Sequence, residues 1–358
     1  MSSSGSRIRS VAWPAAVACL AAALAMSARA DDAPPAPHSP RNISQERVDL
    51  FLAMLKRRAL QALETHRAPP PEPWMTYGVD VAQGYESNVL LDGNKKGDYF
   101  TQEVLSVALH PKLPPWLTGE LTYEAFNSHY LETRDANLWM NTLGGMLRVQ
   151  PSPQVRGDLW YEYGIVNFPF DTSNSFFDHR MGLRMRLAPW KPLATTTGWT
   201  YQLRRYDTRK ARTGAGDDLE GIREDQRHVL AQDITVRWPS TSAKLGVQAY
   251  RNTSNDAFQD FYDWDDAQAQ AVLTRILHPV WIAVGVGSLE RRNYRARSVP
   301  AINVAERDTL ATLTASVIRL IGEHGQLAYS IIYRHQDSND PRLDFHDWVN
   351  QVRFSANF

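Results

Sequence analysis

The chain has 358 residues with 39 Lys and Arg against 39 Asp and Glu, and a single Cys, Cys19. A charge balance with no basic excess argues against a nucleic-acid binder. Beyond residue 30 there is no thiol, which excludes disulfide, Cys-zinc and Cys-nucleophile chemistry in the remaining chain. Trp and Tyr are abundant, at 11 and 14, yet no apolar run of about 20 residues comes after residue 30, so no transmembrane helix is expected.

Residues 1–30 have the layout of a signal peptide. Arg7 and Arg9 form a basic start, Val11 to Met26 is apolar and Ala-rich, and Ala28-Arg29-Ala30 is a small-x-small cleavage site. Cys19 lies inside this segment behind Ala16-Val17-Ala18, without the Leu-type residue of a lipidation signal. Loss of the segment removes three arginines and leaves the remainder slightly acidic. Residues 31–43 are Pro-rich and read as a disordered leader.

The region 44–74 is expected to be a periplasmic amphipathic helix and a Pro-rich linker. Ser44 is a candidate N-cap, and Val48, Phe51, Met54, Leu55, Ala59 and Leu63 recur at steps of three and four over 45–65. Pro69, Pro70, Pro71 and Pro73 end the helix.

From residue 75 the period changes to two. Fourteen alternating segments run over about 75–90, 98–110, 116–131, 137–150, 154–167, 176–188, 194–207, 227–238, 242–253, 263–277, 280–293, 307–320, 325–336 and 344–358. Short turns alternate with longer polar connections, the longest expected over 206–227 and 291–308. An even number of strands puts both ends of the sheet on one side, as in outer-membrane barrels with short periplasmic turns and long external loops. Trp116, Trp190, Trp238 and Trp281 stand beside the turns, where an interfacial aromatic girdle would lie. The predicted fold is all-β: a single closed antiparallel transmembrane barrel of about 14 strands over 75–358, preceded by one short periplasmic helix.

Alternation also assigns faces. Leu159, Tyr161 and Tyr163, and Met181, Leu183, Met185 and Leu187, face out. The opposite face supplies the candidate pore-lining residues Glu120, Glu124, Arg156, Asp158, Glu162, Arg180, Arg184, Arg186, Arg204 and Arg237. Charges at bilayer depth need water or partners, so these imply either a water-filled channel or a tightly paired polar plug. In the last strand Trp348, Val352, Phe354 and Phe358 share the outward face and form the candidate assembly signal.

Two hairpins repeat the same words. Tyr250-Arg251, Ser254-Asn255-Asp256, Asp260-Phe261 and Asp263-Trp264 match Tyr333-Arg334, Ser338-Asn339-Asp340, Asp344-Phe345 and Asp347-Trp348. Shorter versions stand at Tyr85-Glu86-Ser87-Asn88 and Ser173-Asn174. Ser-Asn-Asp favours turns; oxygen-rich loops also suit calcium, but the spacing fits no EF-hand, and no metal site or cofactor is expected.

These hairpins, the stretch Gly84-Tyr85-Glu86-Ser87-Asn88-Val89 and the terminal Phe resemble Gram-negative outer-membrane β-barrels of the porin type. They are also distantly similar to the barrel half of surface lipoprotein assembly modifiers. The first resemblance implies a polar, charge-lined channel for solute passage; the second implies export or surface assembly of a polysaccharide or protein, with a periplasmic partner at the 45–65 helix. A rim-located outer-membrane hydrolase is a further alternative, for which Ser338 with His335 or His346 is the only cluster to inspect, and without a triad or oxyanion signature no enzyme is expected. The expected partners are outer-membrane lipids and the barrel assembly machinery, with no nucleic acid.

Overall fold

A computed structural model describes residues 74–91, 95–114, 116–258, 262–299 and 304–358. The expected signal peptide, leader and helix over 45–65 lie outside the described residues. Among the described residues no helix is long and apolar enough to cross a membrane.

The strands are β1 (Met75–Glu86), β2 (Asp98–Leu109), β3 (Leu117–Tyr130), β4 (Leu138–Ser152), β5 (Val155–Asn167), β6 (Phe176–Trp190) and β7 (Leu193–Arg212). They continue as β8 (Asp218–Trp238), β9 (Thr241–Ser254), β10 (Trp264–His278), β11 (Trp281–Val299), β12 (Val304–Ile321), β13 (Gly325–Ser338) and β14 (Phe345–Asn357). Each pairs with its neighbours in sequence, and β14 returns to pair antiparallel with β1, from Gly78 opposite Asn357 to Glu86 opposite Val349. The sheet is a closed barrel, so no edge is left unpaired. Five turns of two or three residues, with the longer 110–116 connection, gather at one end, here the turn end, and connections of four to eleven residues stand at the other, the loop end.

Side chains alternate across the wall because successive Cβ atoms point to opposite faces. In β5 and β6 Leu159, Tyr161, Met181, Leu183 and Met185 are exposed outside, while Asp158, Asp178 and Arg180 are buried inside. The outer face is therefore apolar over most of the circuit, with Leu121, Leu143, Leu230, Leu245, Val247 and Leu289 continuing the band. Trp116, Trp190, Trp238 and Trp281 stand exposed at the turn end, and the Arg319 guanidinium lies 5.7 Å from the Trp281 ring centre.

Two expectations are corrected. The segments 206–227 and 291–308 are not long loops. They are extensions of β7 and β8, and of β11 and β12, which carry the wall further at the loop end, interrupted by register shifts after Arg205 and after Asn293. Beyond the apolar band both faces of a strand meet polar surroundings, so the alternation that marks strands lower down is missing there.

The loop end is partly filled by inward-facing apolar side chains. Val104, Phe126, Leu138, Met140, Val166, Phe168, Phe176 and Tyr206 form one buried cluster. A second joins Val89, from the β1–β2 connection, to Phe100, Tyr130, Ala136, Ile332 and Val349. That connection folds inward: Asn88, Val89 and Leu91 are almost wholly buried, and the Asn88 N–H donates to Asp347 Oδ1 at 2.9 Å.

Candidate functional site

A central cavity of about 510 Å³ runs inside the barrel. Its lining begins at Glu86, Leu91 and Asp308 at the loop end and continues to Ser240, Thr241 and Lys244 beside the β8–β9 turn. All ten residues expected inside the lumen stand on the inward face. Arg156, Arg180, Arg184, Arg186 and Arg237 line the cavity itself, whereas Glu120, Glu124, Asp158, Glu162 and Arg204 lie outside its lining. Arg204 is buried at the loop end, its guanidinium 4.2 Å from the centre of the Phe176 ring.

The arginines have unequal partners. Asp158 accepts from Arg148 Nε at 2.9 Å and pairs with Arg156 Nη2 at 3.2 Å, so one carboxylate serves two guanidiniums. Arg180 pairs with Asp178, which also accepts from Gln202. Among the described residues no carboxylate lies within ion-pair distance of Arg184, and Arg156 Nε is buried without a hydrogen-bond partner. Register places Arg186 opposite Arg156 and Arg184 opposite Asp158, so positive charge exceeds negative on this wall. Like charges held together in a low-dielectric setting favour an arriving anion.

Residues outside that expected set complete the lining. Lys244 pairs with Asp233 at 3.0 Å. Trp264 faces inward between Arg227 and Arg292, whose guanidinium carbons lie 4.9 and 4.4 Å from its ring centre. Arg334 bridges Glu86, at 2.6 Å, and Asp347. The period-two rule applied to β8 through β11 would have found Arg227, Lys244, Asp266, Glu290 and Arg292, which sit at inward parity on those strands.

The repeated hairpin words have a structural meaning, but a narrower one than their letters imply. The Asn255 side chain donates to Ile222 O and accepts from Glu224 N–H on β8; the Asn339 side chain does the same with Ala305 O and Arg307 N–H on β12, all at 2.8 to 2.9 Å. Asp256 N–H donates to Ser254 Oγ, and Asp340 N–H to Ser338 Oγ. The flanking words do not correspond. Ser254 N–H donates to Asp263, while Ser338 N–H donates to Asp344. The structural counterpart of Asp263-Trp264 is thus Asp344-Phe345 and not Asp347-Trp348, because the connection 255–263 is three residues longer than 339–344. Trp264 and Phe345 are both buried inside, whereas Trp348 is exposed outside.

The carboxylates of these loops are occupied by backbone N–H groups and arginines, and no metal-ligating cluster is present among the described residues. Ser338 does not meet His335 or His346: it is inward and donates no bond to either, while the two histidines oppose each other on the outer face.

No family model matches the chain, and no curated protein matches it. Among solved structures it is similar to an anion-selective porin from Comamonas acidovorans, with 10% identity, covering 79% of this chain and 98% of that one, at a TM-score of 0.47. It is also similar to OccAB4 of Acinetobacter baumannii, with 10% identity, 81% and 100% coverage and a TM-score of 0.42. A third likeness is to OprB of Pseudomonas putida, with 8% identity, 79% and 93% coverage and a TM-score of 0.44.

Proposed function

We propose that this chain is an outer-membrane barrel that passes solutes through a polar, charge-lined lumen, in the manner of a porin. The observation that carries the reading is the cavity whose lining extends from Glu86 and Leu91 at the loop end to Lys244 at the turn end, inside a closed barrel with an apolar exterior. An exposed band of Leu, Val, Met and aromatic side chains around a closed sheet is compatible with lipid and not with water. Its lipid contacts are that band, and the turn end, with its tryptophans, is the periplasmic side. Insertion depends on the barrel assembly machinery engaging the outward face of β14.

The arginine surplus favours anions. Purified protein in planar bilayers should give discrete conductance steps with an anion preference. Replacing Arg184 and Arg186 by Glu should move the reversal potential toward cation selectivity, since both side chains line the cavity. A closed record at every voltage would sink the reading. The likeness to surface lipoprotein assembly modifiers, and the export role it implies, rests on hairpin words whose Ser-Asn-Asp part serves to tie neighbouring strands.

A further inference from the structure

In the turn half of the lumen, the wall across from the arginines carries an aliphatic patch. Ile282, Val284 and Val286 of β11 are buried on the inner face as one cluster, with Val272 of β10 and Ile318 and Leu320 of β12 packed against it. These residues lie close to the β10–β11 and β12–β13 turns, as Arg156 and Arg186 lie close to the β4–β5 and β6–β7 turns. β10 and β11 stand four to six strands round the fourteen-strand circuit from β5 and β6, which sets them across the lumen. The two walls are therefore at the same end and face one another. Val272, Ile276 and Ile282 line the same cavity as Arg156, Arg184 and Arg186.

Where Val272, Ile276 and Ile282 border the cavity, an apolar group that covers them removes aliphatic surface from water. The opposite wall offers an Arg184 guanidinium that forms no ion pair among the described residues, although Asp158 is its cross-strand neighbour, and a buried Arg156 Nε with no hydrogen-bond partner. A small inorganic anion satisfies only the second wall, and a neutral hydrocarbon only the first.

Resting on the reading of the barrel as a solute pathway, we propose that its lumen binds amphipathic organic anions, a carboxylate or similar headgroup at Arg156 and Arg184 and an aliphatic or aromatic body against Ile282 and Val272. Anion preference needs only the arginine wall, whereas this site requires both walls at once.

The test uses four probes on the refolded full barrel: 3-phenylpropionate, propionate, 3-phenylpropanol and 3-phenylpropylammonium. Block of single-channel current in planar bilayers is read beside calorimetric binding in detergent. Phenylpropionate should bind roughly tenfold more tightly than each of the other three. Arg184→Gln should weaken phenylpropionate and propionate together, whereas Ile282→Thr should bring phenylpropionate down to the level of propionate and leave propionate unchanged. Val272→Thr makes the same test if the Ile282 variant does not insert. Equal affinity for propionate and phenylpropionate would overturn the proposal by showing a plain anion site. Equal affinity for phenylpropanol or phenylpropylammonium would overturn it by showing a merely apolar or acidic one. Discriminating binding by calorimetry without any conductance would sustain the amphipathic site and remove the channel reading instead.

Discussion

Gly182 sits on the inner wall opposite Trp160, and a Cβ there would come within 2.7 Å of three atoms of the indole. The missing side chain lets Trp160 lie against the wall, where it borders the cavity. Gly182→Val should push the ring into the lumen and lower single-channel conductance while the barrel still inserts; unchanged conductance would show that the ring is accommodated elsewhere. Arg334 sits differently, in a buried bridge between Glu86 of β1 and Asp347 of β14. Removing one member of such a group leaves charge stranded, at a cost of about 3–5 kcal/mol. Arg334→Ala should therefore reduce resistance to urea in lipid vesicles far more than Arg251→Ala, whose pair with Asp265 is exposed.

At the scale of elements, the Ser-Asn-Asp connections act as ties between hairpins. Asn255 holds β8 and Asn339 holds β12 through the same pair of backbone groups, and Asn88 donates to His346 O on β14, 3.3 Å away. Each Asn→Ala change should cost about 1–3 kcal/mol, the penalty for leaving backbone groups unsatisfied. The costs at Asn255 and Asn339 should be nearly equal, as urea unfolding would measure. The β13–β14 connection also carries a titrating group. Burial pushes the Asp344 carboxyl up to about 6 from an ordinary 3.8, reinforced by the nearby charges of Asp337 and Asp308 and opposed by the Ser338 N–H and His335. The folded loop thus keeps a proton that the unfolded chain has lost. This increment of stability is full below the ordinary carboxylate range and is lost as pH rises through about 6. Amide exchange at Ser338, corrected for its intrinsic pH dependence, should show weaker protection at pH 7 than at pH 4, and Asp344→Asn should flatten that slope.

The same elements show what the sequence makes legible. Strand positions, parity and inward faces are readable wherever lipid-compatible residues alternate with polar ones, as in β5, β6 and β14. The upper parts of β7 and β8 are not. Residues 206–227 are charged and Gly-containing, and their order depends on pairings far apart in sequence, such as Arg212 with Asp256. The Trp264 and Trp348 words are identical by letter but opposite in orientation, because a three-residue difference in loop length puts the words after Ser-Asn-Asp out of step between the two hairpins. The candidate site is legible in part: the arginines announce themselves by charge, but the aliphatic wall of β10–β12 reads as ordinary strand sequence until closure places it across from them.

Closure is a property of the whole molecule, and it depends on the β1–β14 seam. At the loop end the Ser87 N–H donates to Trp348 O at 2.9 Å, and the Trp348 N–H donates to Ser87 Oγ at 2.7 Å. At the turn end the Tyr77 and Phe358 backbones exchange N–H donors at 3.0 and 2.8 Å, and their rings stack with centres 5.1 Å apart. His324, from the β12–β13 turn, lies against the other side of Phe358 at 5.4 Å. Phe358 is thus the last rung of the seam as well as an exposed outward residue. Until the ends meet, the open sheet leaves the outer backbone groups of β1 and β14 unpaired in lipid. Removing Phe358 deletes two backbone hydrogen bonds worth about 1 kcal/mol each and two ring contacts, with Tyr77 and His324, worth about 0.5–1.5 kcal/mol each. That loss is small against a seam running from Gly78 to Glu86, so a barrel already closed should keep its conductance. It falls, however, on the contact that must find its partner from the far end of the chain. Deleting Phe358 should therefore lower the amount of inserted, heat-modifiable protein several-fold while single-channel conductance of the inserted fraction stays at the parent value. Parent levels of insertion would show that the seam closes from the Ser87–Trp348 end without help from its last residue.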